Sequence, residues 1–305
     1  MMNRVEFGVT IPSVTGIADF ARSAEALDYD YLGCGEHMMF HGPIGNSLIG
    51  LSVAAGVTTK IKLMSSVVLL PLYNPMVLAK QTSVLDVASN GRYHMGIGVG
   101  GEFPKEFEAS GVPVKERGSR ANEALEVITK LWTEQRVDFE GRYSRFTGVT
   151  LSPPPTQKPH PPIWVAGRKA AAMRRAAKYG DGWLPYMYTP EMVHESIEKI
   201  RQFRRELGRE GNDVRTGLFI FGSISANRED AIQQAAQSLG RNYAQDFSNL
   251  AAKYTLSGTP DDCRKRIRQY LDAGVRTVLI SWVCKPEDVP ANVRMFAEEV
   301  VPEFR

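Results

Sequence analysis

The chain is poor in the side chains that most often advertise metal or disulfide chemistry. It holds three cysteines and five histidines among 305 residues. Cys34, Cys263 and Cys284 lie far apart with no C-x-x-C spacing. That argues against a zinc site or a disulfide framework and reads as thiols kept in a reducing cytoplasm. An excess of one charge is lacking too. The 37 Lys and Arg against 34 Asp and Glu leave a formal net charge of +3, with no basic block or stripe. Nucleic acid is therefore not an expected partner. Long apolar runs are missing as well. The longest uncharged stretch, Met38 to Thr59, carries Gly, Pro, His, Asn and Ser, so no membrane span is expected. The strand pattern starts at Val5, so no leader peptide is expected either.

What is present is organised around Lys62 to Glu102. Leu63 to Leu70 is an apolar run too short for a helix and reads as a strand buried on both faces. Asn74-Pro75 starts a helix, and Asn90-Gly91 ends it with a left-handed cap. Tyr93 to Val99 is a second strand ending in glycines. Strand, helix, strand in about forty residues is a βαβ unit with parallel strands. Gly98, Gly100 and Gly101 are placed to let something flat approach the backbone. The string Gly96 to Gly101 also satisfies G-x-G-x-x-G. No helix opens at its last glycine, and no second strand ends in an acid about 20 residues on, so a dinucleotide fold is a poor match.

The same rhythm runs along the chain. Strands are expected at Val5–Ile11, Tyr31–Cys34, Lys62–Leu70, Tyr93–Val99, Ile163–Ala166, Gly182–Leu184, Leu218–Ala226 and Thr277–Trp282, with helices between them. Eight such steps point to an α/β fold, a closed (β/α)8 TIM barrel spanning residues 1 to 305 as a single domain. Val137 to Phe146 reads as a small β-hairpin outside it. The prolines between Pro153 and Pro162 are the one linker-like stretch, the only hint of a second domain. Gly101 to Ser119 and Tyr243 to Ser257 read as long loops lining a substrate.

In such a barrel the active site lies at the strand C-termini. Glu36-His37 ends the second strand, and histidine is the side chain most readily poised for proton transfer near neutral pH. A merely packed pocket histidine is the plain alternative. His41 follows four residues on, without the helical pattern that would pair the two as ligands; no metal site is expected. Ala166-Gly167-Arg168-Lys169 ends another strand and opens a helix, a ready phosphate site. A solvated helix start reads equally well there.

At these residues the sequence resembles the luciferase-like monooxygenase superfamily, closest to its probable coenzyme F420-dependent oxidoreductases. The resemblance is carried by Glu36-His37, Ser66-Val67, Asn74-Pro75, Asn90-Gly91-Arg92, Gly96 to Glu102 and Pro161-Pro162-Ile163-Trp164-Val165. It implies coenzyme F420 as cofactor, with FMN as the alternative. It implies that His37 sits beside the central cofactor ring, with Glu36 at a neighbouring position often held by Asp. Ser66-Val67 matches a bulge where deazaflavin-binding relatives carry a non-prolyl cis peptide. Glu102 matches a pocket acid of a deazaflavin-dependent sugar-phosphate dehydrogenase. Hydride transfer between F420 and a small organic substrate is the leading expectation, with His37 and Glu36 catalytic and a homodimer as the assembly. An FMN-dependent monooxygenase fed by a separate flavin reductase and a non-catalytic flavin-binding barrel are the other readings.

Overall fold

The computed structural model describes residues 4–305 except 41, 212, 244 and 245. The first half alternates β1 (Glu6–Thr10), α1 (Ile17–Ala26), β2 (Tyr31–Cys34), α2 (Ser47–Ala55), β3 (Lys62–Ser65), β4 (Val68–Leu69), α3 (Pro75–Ala88) and β5 (Tyr93–Gly98). Then come α4 (Pro104–Ala109), α5 (Arg117–Thr133) and the antiparallel pair β6 (Val137–Glu140) and β7 (Arg145–Val149). The second half continues with β8 (Ile163–Ala166), α6 (Ala170–Tyr179), β9 (Gly182–Leu184), α7 (Pro190–Glu206), β10 (Arg215–Ile224) and α8 (Arg228–Tyr243). It ends with α9 (Ala251–Tyr254), β11 (Thr255–Gly258), α10 (Pro260–Asp272), β12 (Thr277–Trp282) and α11 (Val289–Met295).

Strands β1, β2, β3, β5, β8, β9, β10 and β12 pair in that order, all parallel, and β12 returns to β1. The sheet closes into an eight-stranded barrel, and the β6–β7 hairpin stands outside it. The strands are apolar on both faces because each packs a helix outside and the lumen inside. Tyr31, Met64, Trp164, Leu184 and Leu279 fill the lumen. Beneath them Glu6 accepts hydrogen bonds from Lys62, from the Tyr31 hydroxyl (3.4 Å) and from Thr277 (3.2 Å). The N-terminal end of the barrel is thus lined by polar and charged side chains, around a cavity bordered by Glu6, Lys62, Arg215 and Thr277.

Local signals set the helix starts. Asn74 Oδ1 accepts from the Met76 and Val77 amides, with Pro75 in the first turn. Thr189 and Thr259 cap α7 and α10, each followed by proline. The proline-rich crossing is tied down: Ser83 donates to the Pro153 carbonyl (2.6 Å) and Gln157 donates to Asp86 and to the Tyr93 carbonyl.

Three expectations need correction. The run from Lys62 to Leu70 is two strands, broken by a cis Ser66–Val67 peptide. Gly101 to Ser119 is not irregular loop, since it contains α4 and the start of α5. The described part of Tyr243 to Ser257 holds α9 and β11, the latter pairing with the upper half of β10; residues 244 and 245 lie outside the described residues. No helix among the described residues is long and apolar enough to cross a membrane.

Candidate active site

The chain leaving β2 divides its two candidate residues. Glu36 turns inward and is buried. Its carboxylate accepts from four donors: Asn46 Nδ2 (3.2 Å), the Ser47 amide (3.2 Å), the Leu69 amide (2.8 Å) and the Tyr73 hydroxyl (2.9 Å). Burial pushes this carboxyl above its ordinary range against the pull of those hydrogen bonds. Asn46 also caps α2 through its Oδ1. Glu36 thereby joins the β2 end, the start of α2 and β4. A carboxylate with these four partners is placed to hold the strand end to α2 and β4.

His37 faces the other way. Its Nδ1 lies 3.3 Å from each oxygen of Glu106, which is 0% exposed. The Met38 amide donates to the same carboxylate (3.2 Å). The imidazole stacks on Phe40 at 4.1 Å and 19°, and Phe40 meets Phe103 edge-on at 5.7 Å. Glu106 fixes the tautomer by taking the Nδ1–H, so Nε2 is the nitrogen left for exchange. Sequence reading missed Glu106 as a site residue. It stands on the short helix α4, far along the chain from His37; the pair Glu106-Phe107 belongs to the pieces that carry the family resemblance, but nothing there signals a site role. His41 lies outside the described residues.

The Ser66–Val67 turn lies against the same strand end, with the Ser66 amide donating to the Cys34 carbonyl (2.8 Å). Its peptide is cis, as the resemblance implies. Ser66 Oγ is buried and has no hydrogen-bond partner among the described residues. The glycines of β5 answer to this turn. A Cβ on Gly96 would lie 1.9 Å from the Ser65 carbonyl oxygen, and one on Gly98 would lie 2.7 Å from Val67. Gly100, at φ 58°, faces Phe107 and Leu69. The space expected for a flat ligand is, on the side of the missing Cβ, taken at Gly98 by Val67 of the bulge and at Gly100 by Phe107 and Leu69.

Across the mouth, Gly167 has φ 128°, a conformation that suits glycine. Its carbonyl accepts from Trp183 Nε1 (2.9 Å), and the Arg168 carbonyl accepts from the Tyr188 hydroxyl (2.9 Å). Lys169 is extended at the start of α6 and offers no side-chain cap. The helix therefore opens with amides that no capping side chain takes. The Arg168 guanidinium lies 4.6 Å from the centre of the Tyr186 ring, and the Tyr186 hydroxyl donates to Glu102. Burial, then the Glu102 hydrogen bond, pushes the Tyr186 phenol up, so it stays a neutral donor. The structure thus brings His37, Ser66 and Val67 together on one side and Ala166 to Lys169 with Glu102 on the other. Tyr186, which joins Glu102 to Arg168, carried no sequence signal.

Comparison with known proteins agrees with this fold. Among curated proteins, F420-dependent glucose-6-phosphate dehydrogenase of Nakamurella multipartita is 26% identical over 323 residues, covering 95% of this chain and 92% of that protein. An uncharacterised Mycobacterium tuberculosis protein is 30% identical over 182 residues, 59% of this chain, and the match spans only 62% of that relative's length. Among solved structures, monooxygenase RslO1 of Streptomyces bottropensis superposes with a TM-score of 0.86 at 25% identity, covering 98% of this chain and 100% of the other. An F420-dependent secondary alcohol dehydrogenase in complex with an F420-acetone adduct superposes with a TM-score of 0.86 at 19% identity over 99% of both chains, a likeness of fold. Residues 3–277 match the family profile described as luciferase-like monooxygenase. The chain belongs to the luciferase-like monooxygenase family.

Proposed function

We propose that this protein is an oxidoreductase that moves a hydride between coenzyme F420 and a small organic substrate, with His37 as its proton carrier. The observation that carries the proposal is the His37–Glu106 pair at the barrel mouth, beside a buried Ser66 hydroxyl that lacks a partner. The relatives spanned almost whole, F420-dependent glucose-6-phosphate dehydrogenases, favour this cofactor. The residues present fit it. Ser66 and Val67 offer a turn and an unpaired hydroxyl to a flat ring. Gly167, Arg168 and Lys169 at the uncapped start of α6 offer amides and two cations to a phosphate. When bound, the deazaflavin supplies or accepts the hydride.

The protein does the rest. Glu106 holds the Nδ1–H of His37, and Phe40 stacks on the imidazole and meets Phe103 edge-on. The imidazolium, protonated from solvent at Nε2, gives that proton to a carbonyl oxygen as its carbon gains the hydride, leaving the neutral ring. In the reverse direction Nε2 removes the hydroxyl proton of an alcohol. We take residues 1 to 305 to form a single catalytic domain, cytoplasmic, acting as a homodimer on a small molecule, without nucleic acid or membrane. The likeness to RslO1 favours a second reading, an FMN-dependent monooxygenase supplied by a separate flavin reductase.

The test is His37→Asn, which keeps a hydrogen-bonding side chain but cannot shuttle a proton near neutral pH. Turnover is expected to fall about a hundredfold or more at unchanged cofactor affinity. Glu106→Gln should lower kcat less, by about tenfold, and move the pH–rate profile. Turnover of His37→Asn close to that of the wild type, at full cofactor occupancy, would return His37 to a packing role.

A further inference from the structure

We infer that the substrate of this site is a flat, conjugated or aromatic carbonyl compound, an inference that rests on the hydride-transfer reading above and adds the chemistry of what is reduced. It comes from the inner face of β10 and from what gathers over it. Along that strand Leu218, Ile220 and Ile224 join the main core, while Phe219 and Phe221 turn the other way. Phe219 packs both on the lumen floor and on a second apolar cluster at the C-terminal end. There Phe219 and Phe221 stand edge to face at 5.3 Å and 85°, and Phe221 and Tyr243 at 6.2 Å and 73°. Tyr186 bridges to Phe219 through the backbone and adds its ring to the cluster.

Phe40 and Phe103 border the same mouth on the His37 side. Aromatic side chains therefore stand at two sides of the opening, and Phe219, Tyr186 and Tyr243 are each half-buried. Half-buried rings at edge-to-face spacing accept another flat ring in the same geometry and shed water from both partners.

The polar groups of the mouth point the same way. A sugar phosphate asks for many directed donors and acceptors and for cations on its phosphate. Here the Glu102 carboxylate is engaged by the Tyr186 hydroxyl, and Arg168, stacked on the Tyr186 ring, is assigned above with Lys169 to the cofactor phosphate. Burial, together with Glu102 nearby, pushes the Tyr243 phenol up to about 12, so it too stays a neutral donor. One or two neutral phenol donors on an apolar wall suit a carbonyl oxygen on a ring system.

The experiment compares three compounds with the F420-loaded protein: 2-acetonaphthone, cyclohexanone and glucose 6-phosphate. The expected kcat/KM for 2-acetonaphthone exceeds that for cyclohexanone on the order of a hundredfold, with no turnover of glucose 6-phosphate. Tyr243→Ala and Tyr186→Leu should each raise KM for 2-acetonaphthone about tenfold and KM for cyclohexanone less, since both ketones lose a phenol donor and only the first loses a ring contact. If none of the compounds is reduced, equilibrium binding of 2-acetonaphthone, followed by tryptophan fluorescence with and without cofactor, decides separately. Binding that both variants weaken upholds the aromatic site and counts against hydride transfer alone. The inference is overturned by equal or better use of cyclohexanone or glucose 6-phosphate. It is also overturned by 2-acetonaphthone binding that neither variant changes, or by variants that lose cofactor and not ketone, which would assign the rings to the cofactor.

Discussion

Glu36 is a carboxylate with four donors around it and burial raising its proton affinity. The raised folded-state pKa sets the sign of its pH dependence. The folded protein holds this proton more tightly than the unfolded chain, whose value is about 4.3. The carboxyl's contribution is fully present below that unfolded pKa and declines as pH rises through the higher folded one. The stability of the wild type minus that of Glu36→Gln should therefore shrink from pH 4 towards pH 7, measured by denaturant unfolding at each pH. A difference that grows with pH would mean the hydrogen bonds outweigh burial. At this scale the sequence was readable only in part. His37 announced itself by standing at a strand end. Glu106 did not, because nothing in a sequence shows which acid a folded chain brings 69 positions back to a histidine. Tyr186 is likewise visible only once β5 and β9 end at the same barrel mouth with β8 between them.

At the scale of elements, the turn between β3 and β4 is the least ordinary piece of the barrel, and β5 is shaped to receive it. Gly96 has no room for a side chain, because the Ser65 carbonyl occupies the Cβ position and is itself backbone. Gly96→Ala should therefore cost about 3 kcal/mol of stability, at the upper end of overpacking, read as a lowered denaturant midpoint. A loss of only a few tenths would show that the turn can yield. The main strands were legible because they are apolar on both faces and bounded by Gly, Asn and Pro; β2, β8, β9 and β12 fall where the pattern puts them. Two elements were not. The helix α4 has six residues, too few to display a helical period, and β11 has four residues directly after a one-turn helix. In both, tertiary packing decides what local preference leaves open.

For the whole molecule, the outer faces of α2 and α3 stand out. These neighbouring helices expose Ile49 (68%), Val53, Val77 (53%), Val84 and Val87. Exposed apolar side chains on adjacent helices are what an interaction surface requires, and the proposed homodimer would cover them by symmetry. Sedimentation velocity should find the wild type dimeric and Ile49→Asp shifted to monomer with its far-ultraviolet spectrum unchanged; a monomeric wild type would remove the dimer from the account.

The central claim is that the mouth of this barrel holds a deazaflavin for hydride transfer. The most direct test is one titration, in which coenzyme F420 and FMN are added separately to the same cofactor-free protein and binding is followed by cofactor fluorescence. The account predicts F420 bound at least about tenfold more tightly than FMN, a difference of about 1.4 kcal/mol. FMN bound as tightly as F420, or more so, would contradict it and leave the barrel to flavin and oxygen chemistry.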